Sequence, residues 1–174
     1  MKIERMEIKD LDVICDLESK IFKDPWPRKF FEEDLSKNDS SSYYVLKDDE
    51  EIIGYAGVWY MFENCDLVNI AIKNDRQGEG LGEKLLRFVI KEAISKDCEF
   101  MHLEVRKSNF KAKSLYEKYG FMEMRVRKGY YEDGEDCIDM VKGLLGLSEK
   151  DFSDWIKLWR DSLCNHWWRF KYTK

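Results

Sequence analysis

Three glycines at alternate positions, Gly78, Gly80 and Gly82 in the run Gln77-Gly78-Glu79-Gly80-Leu81-Gly82, are the residues whose type and spacing point most directly to chemistry. They stand between an apolar stretch, Asn69-Ile70-Ala71-Ile72, and a run with helical apolar spacing that opens at Leu81. A turn so placed can aim successive backbone N–H groups at one point with the positive end of a helix behind them, which suits a phosphate. Glycine is needed because a side chain would hold the phosphate off the main chain, and because some positions in such a turn demand positive φ. The spacing is neither G-x-x-x-x-G-K-[ST] nor G-x-G-x-x-G, so ATP and NAD lose support as ligands. The competing reading is a tight turn that uses glycine for geometry alone.

The flanking sequence supplies the elements that would hold this turn. Residues 2–6 alternate as a short strand does, and Asp10 stands where it can cap a helix carrying Leu11, Ile14, Leu17 and Ile21 on one face. Pro25-Trp26-Pro27 ends that helix, and Pro27 suits the first turn of a second one reaching to about Leu35. Residues 42–47 and 51–61, rich in Tyr, Val and Ile, predict a hairpin around Asp48-Asp49-Glu50, and residues 66–72 another strand. Leu81, Leu85, Phe88, Val89 and Ala93 mark a helix over 81–96. Residues 100–106 alternate Met101, Leu103, Val105 against His102, Glu104, Arg106, a strand with one apolar face. A short helix from about Asn109 ends at Gly120, and residues 121–128 and 137–141 predict a last hairpin around Glu132-Asp133-Gly134. The order β α α β β β α β α β β implies an α+β chain in three layers, with a mixed, mostly antiparallel sheet between helices.

Gly143 and Gly146 mark a boundary that divides residues 1–143 from a C-terminal extension, residues 144–174. Ser148 with Asp151 resembles a capping pattern, and Phe152, Trp155, Ile156, Trp159 and Leu163 predict one face of an extra amphipathic helix. After Asp161 there is no acid, and Trp167-Trp168-Arg169-Phe170-Lys171-Tyr172 interleaves rings with cations. Packing on the domain or on a second subunit, giving a homo-oligomer, is the favoured role; contact with a membrane surface or RNA is the other.

Gln77-x-x-Gly80-x-Gly82 after Asn69-Ile70-Ala71-Ile72 resembles the acyl-CoA-binding motif of the GNAT acetyltransferases. Leu103-Glu104-Val105-Arg106 followed by Asn109, Leu115-Tyr116 with Tyr119-Gly120-Phe121, Tyr130-Tyr131 before residues 136–140, and Pro25-Trp26 agree with it in order and spacing. Together they are similar to the ribosomal-protein-alanine N-acetyltransferases (RimI), over about residues 1–143. The resemblance implies the GNAT fold and acetyl-CoA as co-substrate. It places the backbone of Ile70, Ala71 and Ile72 along the pantetheine arm and wraps the pyrophosphate with Gln77, Gly78, Glu79, Gly80, Leu81, Gly82 and Glu83. Asn109 matches a further contact to the cofactor arm.

Transfer of an acetyl group from a thioester to an amine needs a neutral amine, a polarised carbonyl and a proton for the departing thiolate. By the same resemblance Glu104 is the base, acting directly or through water, and Tyr116 the acid. A solvated Glu104, paired with Arg106, and a packed Tyr116 are the structural alternatives. Carbonyl polarisation falls to a backbone N–H of the strand at residues 70–72, where the family's central strands separate. Trp26, Tyr130 and Tyr131 are candidates for the acceptor groove, since loop aromatics offer rigid contact area to an extended peptide; rim or core packing competes. The implied acceptor is a protein N-terminus, most closely the N-terminal alanine of a small-subunit ribosomal protein. Other protein N-termini, polyamines and small amines share the cofactor motifs, and a non-catalytic acyl-CoA-binding module is the rival from another class.

Composition bounds these readings. An apolar fraction of 44% and a charged fraction of 37% describe a globular chain with no apolar run near the roughly 20 residues of a membrane span. The charged start, Met1-Lys2-Ile3-Glu4-Arg5, lacks the apolar core of a secretory signal, so residence in the cytoplasm is expected. A net charge of −5 argues against a general nucleic-acid binder and suits a cationic acceptor better. Five scattered cysteines without C-x-x-C, and two isolated histidines, His102 and His166, predict free thiols with no disulfide, no metal and no cysteine acyl-enzyme.

Overall fold

A computed structural model describes residues 1–37 and 39–145; the amphipathic helix and Trp-rich run expected beyond residue 148 lie outside the described residues. The elements run β1 (Lys2–Arg5), α1 (Leu11–Ile21), α2 (Arg28–Lys37), β2 (Ser41–Asp48), β3 (Glu51–Met61), β4 (Asn64–Ile72), α3 (Leu81–Ser95), β5 (Phe100–Arg106), α4 (Phe110–Lys118), β6 (Met122–Arg127) and β7 (Cys137–Gly143). Short 3₁₀ turns, Ile8–Asp10 and Asn74–Arg76, precede α1 and follow β4. Asp10 does not cap α1 with its side chain: its carboxylate accepts the Glu7 N–H at 2.9 Å and so closes the 3₁₀ turn. The capping oxygen is already engaged one turn earlier, and α1 simply continues from that turn.

The strands form one sheet in the order β1-β2-β3-β4-β5-β7-β6, antiparallel everywhere except between β4 and β5. Two apolar layers cover it. Leu85, Leu86, Val89 and Ala93 of α3 pack with Tyr116 of α4 on Ile53, Val58, Leu67, Leu103 and Val105. On the opposite face Leu11, Ile14 and Leu17 of α1 and Phe31 of α2 pack on Tyr43, Val45, Tyr55 and Ala71. Strand alternation fixes which residues look each way. Met101, Leu103 and Val105 face α3 and α4, so His102, Glu104 and Arg106 project to the side of α1.

The parallel pair is where the sheet opens. Pairing of β4 with β5 runs from Asn64↔Phe100 to Leu67↔Leu103 and stops, although the strands continue to Ile72 and Arg106. At the same point β4 carries a bulge: Leu67 opposes Val58 and Asn69 opposes Gly57, leaving Val68 as the extra residue. A bulge adds twist and bends its strand. Here it turns the end of β4 away from β5, which stays with β7 as far as Arg106↔Cys137. The β5-facing edge of residues 68–72 is thereby released from the ladder.

Candidate active site

The separation of β4 from β5 opens a cleft of about 1860 Å³ through the sheet. Of the catalytic, cofactor and acceptor candidates that the sequence offered, all line it except Glu79. At one end lies the glycine turn. Gly78 and Gly80 have φ of +94° and +76°, and no atom stands within 4 Å of where a Cβ would be, so backbone conformation is what requires glycine there. Gly82 has ordinary φ; a Cβ would lie 3.8 Å from Ile72 and 3.9 Å from Leu115, at the cleft wall. Lys84 N–H is taken up by the Gly80 carbonyl at 3.0 Å, so the amides of Leu81, Gly82 and Glu83 are the orphan donors of a helix start.

The carboxylates of this turn, which would repel a phosphate, are neutralised away from it. Glu79 takes two bonds from Arg76, at 2.8 and 3.0 Å, and Arg76 also reaches Asp48 at 3.1 Å. Glu83 accepts from Lys118 at 2.8 Å and from the Tyr119 hydroxyl at 2.6 Å, and these partners hold its carboxyl below the ordinary range. Gln77 fixes the turn to β4, donating to the Ile72 carbonyl at 3.2 Å and accepting from Lys111 at 3.3 Å. Asn109 is the cap of α4: its side-chain oxygen accepts the Ala112 N–H at 3.2 Å.

Glu104 and Tyr116 stand on opposite sides of the opening. Tyr116 belongs to the apolar layer of α3 and α4, is 6% exposed, and packs against Phe121 with ring centroids 5.7 Å apart. Its position is set by the end of α4, where the Phe121 N–H returns to the Tyr116 carbonyl at 3.0 Å around Gly120 at φ +80°. Burial pushes the phenol above its ordinary value, so it carries its proton throughout the neutral range. Glu104 projects to the other face and accepts a hydrogen bond from the Tyr130 hydroxyl at 2.9 Å.

Arg127 is the partner that sequence reasoning missed. Its Nη2 lies 2.9 Å from Glu104 and 2.7 Å from Asp139, and its guanidinium stacks 3.7 Å over the Tyr130 ring. Glu104 and Asp139 are directly opposite across β5 and β7, an arrangement of like charges that a shared cation resolves. Arg125 adds a second contact to Asp139 at 2.6 Å: residues two apart on β6 share a face, and the bulge at Met124 puts the face of Arg125 and Arg127 on the side of Asp139. The pairing of Glu104 with Arg106 does not occur. Arg106 instead binds Asp24, Asp133 and Glu135, and Lys23 meets Asp133 at 3.0 Å, tying the α1–α2 connection to the β6–β7 connection.

Trp26 stands at the rim, with centroids 5.7 Å from Trp59 and 5.9 Å from Phe31, so it both packs and lines the cleft. Tyr130 and Tyr131 meet edge to face at 5.1 Å. Cys137 lies near this cluster, but burial, with Glu104 adding to it, pushes its thiol up to about 11, which leaves it protonated. A second missed residue is Glu18, 1% exposed at the cleft floor, where burial raises the carboxyl to about 7 against the opposing bond from the Trp26 amide. Its signal was in the sequence: a charge at position 18 falls on the apolar face defined by Leu11, Ile14 and Leu17.

An opening that presents free strand edge and an anion-binding turn on one side, and a carboxylate beside loop aromatics on the other, can hold an extended acyl carrier against an amine. Residues 11–121 match the Acetyltransferase (GNAT) family. The chain is 36% identical over 139 residues to a putative [ribosomal protein bS18]-alanine N-acetyltransferase of Bacillus subtilis, covering 79% of this chain and 92% of that one. It is 34% identical over 144 residues to the [ribosomal protein bS18]-alanine N-acetyltransferase of Escherichia coli K12, covering 80% and 95%. The crystal structure of the ribosomal-protein-S18-alanine N-acetyltransferase from Escherichia coli superposes with a TM-score of 0.78 at 31% identity, over 85% of this chain and 96% of that one. The separated strands, the glycine turn and these relatives agree, and the chain belongs to the GNAT family as an acetyl-CoA-dependent N-acetyltransferase.

Proposed function

We propose that this enzyme acetylates the N-terminal α-amino group of a protein, most closely the N-terminal alanine of a small-subunit ribosomal protein, by direct transfer with both substrates bound. The observation that carries the reading is the placement of Glu104 and Tyr116 on opposite faces of the opening between β4 and β5. An α-amine entering from the side of α1 meets the carboxylate, while the departing sulfur lies toward α4 and its phenol. The names of the Bacillus and Escherichia relatives support the choice of acceptor.

Acetyl-CoA supplies an activated acyl group, a thioester whose carbonyl carbon the amine attacks and whose C–S bond breaks. The turn at residues 77–83 fits its phosphates through backbone amides and a helix start. The released edge of residues 70–72 offers backbone groups to its amide-containing arm, and an N–H there polarises the carbonyl. Glu104 takes the proton of the amine, directly or through water, steadied by Tyr130 and Arg127. Tyr116 gives its phenolic proton to the thiolate and is reprotonated from solvent. Trp26, Tyr130 and Tyr131 flank the acceptor entrance. Mass spectrometry of unacetylated ribosomal proteins incubated with acetyl-CoA, with and without the enzyme, tests the acceptor. One N-terminus should gain a single acetyl group only when the enzyme is present; none gaining it would remove the proposal.

A further inference from the structure

Glu18, 1% exposed, is a buried carboxylate at this cleft that the chemistry above does not use. It sits on α1 among Leu11, Ile14 and Leu17, and no cation pairs with it among the described residues. Its partners are neutral donors from three other elements. Oε2 accepts the Trp26 backbone N–H at 2.7 Å; Oε1 accepts from the Tyr55 hydroxyl of β3 and, at 3.5 Å, from the Asn69 amide of β4, which also donates to the Tyr55 oxygen at 3.3 Å. The other titratable groups facing it are Cys15, on its own helix, and Tyr43 of β2, which is bonded to Asp34 of α2.

A buried carboxyl without a cation is a poor way to stabilise a core, since an apolar side chain of similar size avoids its desolvation. What it does achieve is geometric. The Trp26 amide belongs to the connection that forms one wall of the acceptor entrance, and Asn69 is the first residue after the bulge that turns β4 away from β5. Glu18 therefore joins that wall to the strand that carries the reacting carbonyl's site.

Resting on the N-terminal acetyltransferase reading, we infer that Glu18 is the positioning residue of the acceptor side. By holding the Trp26 amide against the Tyr55–Asn69 pair it fixes the distance between the acceptor wall and the released edge of β4. The requirement is for an acceptor oxygen at this place, whatever its charge, because a neutral carboxyl or an amide can still receive the Trp26 N–H. That separates it from a proton-carrying role, which an amide cannot fill.

The full-length enzyme and its Glu18→Met and Glu18→Gln variants would be compared with a peptide bearing a free N-terminal alanine, and amide exchange at Trp26 followed by NMR. Glu18→Met should raise the acceptor KM by about tenfold or more, lower kcat far less, and leave acetyl-CoA affinity unchanged. Exchange at Trp26 should quicken by a similar factor. Glu18→Gln should restore most of both. A Met variant with wild-type KM and wild-type exchange overturns the inference, as does an equal loss of kcat in both variants, which marks a proton carrier. Should Glu18→Met not fold, Asn69→Ala reads the same network, with a several-fold rise in acceptor KM expected and an unchanged KM contradicting it. If the wild-type enzyme acetylates no peptide, the proposed acceptor falls, while exchange at Trp26 still decides the role of Glu18.

Discussion

Glu104 illustrates what one strand's pattern tells and withholds. Alternation along residues 100–106 is enough to put it on the polar face, and the structure places it there, beside the cleft. Its partners were not legible, because Arg127 reaches it only through the β6 bulge at Met124 and the β5–β7 register, neither of which has a local signal. The two assigned roles separate by pH. An α-amine titrates near about 7.7 to 8.0, so Glu104→Gln should lose most activity near neutrality and recover part of it toward pH 9. Tyr116→Phe should lower kcat by ~10² at every pH between 6 and 9 with acetyl-CoA affinity kept, since its buried phenol is protonated throughout. Rates of both variants at saturating acetyl-CoA decide. Parallel profiles, or a wild-type kcat for Tyr116→Phe, would leave positioning as the main catalytic contribution.

At the scale of elements, strands, helices and their order were readable because periodicity and punctuation are local: Gly120 ends α4 with positive φ as its place in the sequence suggested. The opening of the sheet was not, since it depends on where β4 stops pairing with β5 and on a one-residue bulge at Val68. The glycine turn offers a direct test. Gly82→Ala adds a Cβ that meets only ordinary contacts with Ile72 and Leu115, and alanine favours a helix by about 1 kcal/mol. Melting temperature should hold or rise while acetyl-CoA affinity, by calorimetry, falls about tenfold as the cofactor is held off the backbone. Unchanged affinity would remove the turn from the phosphate site.

α1 gives the second test at this scale. Glu18 has its carboxyl raised to about 7 by burial, so the folded state holds a proton that the unfolded chain releases near pH 4.5. Wild-type stability therefore falls, relative to Glu18→Gln, as pH rises from 5 to 7, and the difference levels off above that. Melting temperatures of the two proteins across pH 5 to 8 check it. A gap that stays constant with pH would mean the carboxyl is ionised throughout, as in water.

For the whole molecule, every residue placed at the cleft lies between positions 18 and 140, and β7, the last strand in the described sequence, ends at Gly143. Removing residues 148–174 should leave acetyl-CoA affinity and kcat intact. Light scattering or melting should change if the extension packs on the domain or on a second subunit. Loss of the chemical step itself would place the extension in the active site. Among the described residues no helix is long and apolar enough to cross a membrane.

The central claim, transfer to a protein α-amine, is tested most directly by where the acetyl group goes. The enzyme would be given acetyl-CoA with an equimolar mixture of a peptide bearing a free N-terminal alanine, the same peptide with its N-terminus blocked and an internal lysine free, and a polyamine. Tandem mass spectrometry would locate the label. The expected result is acetylation of the free alanine terminus alone, mostly lost near neutrality in Glu104→Gln; acetyl on the lysine or the polyamine, with the alanine terminus untouched, would contradict it.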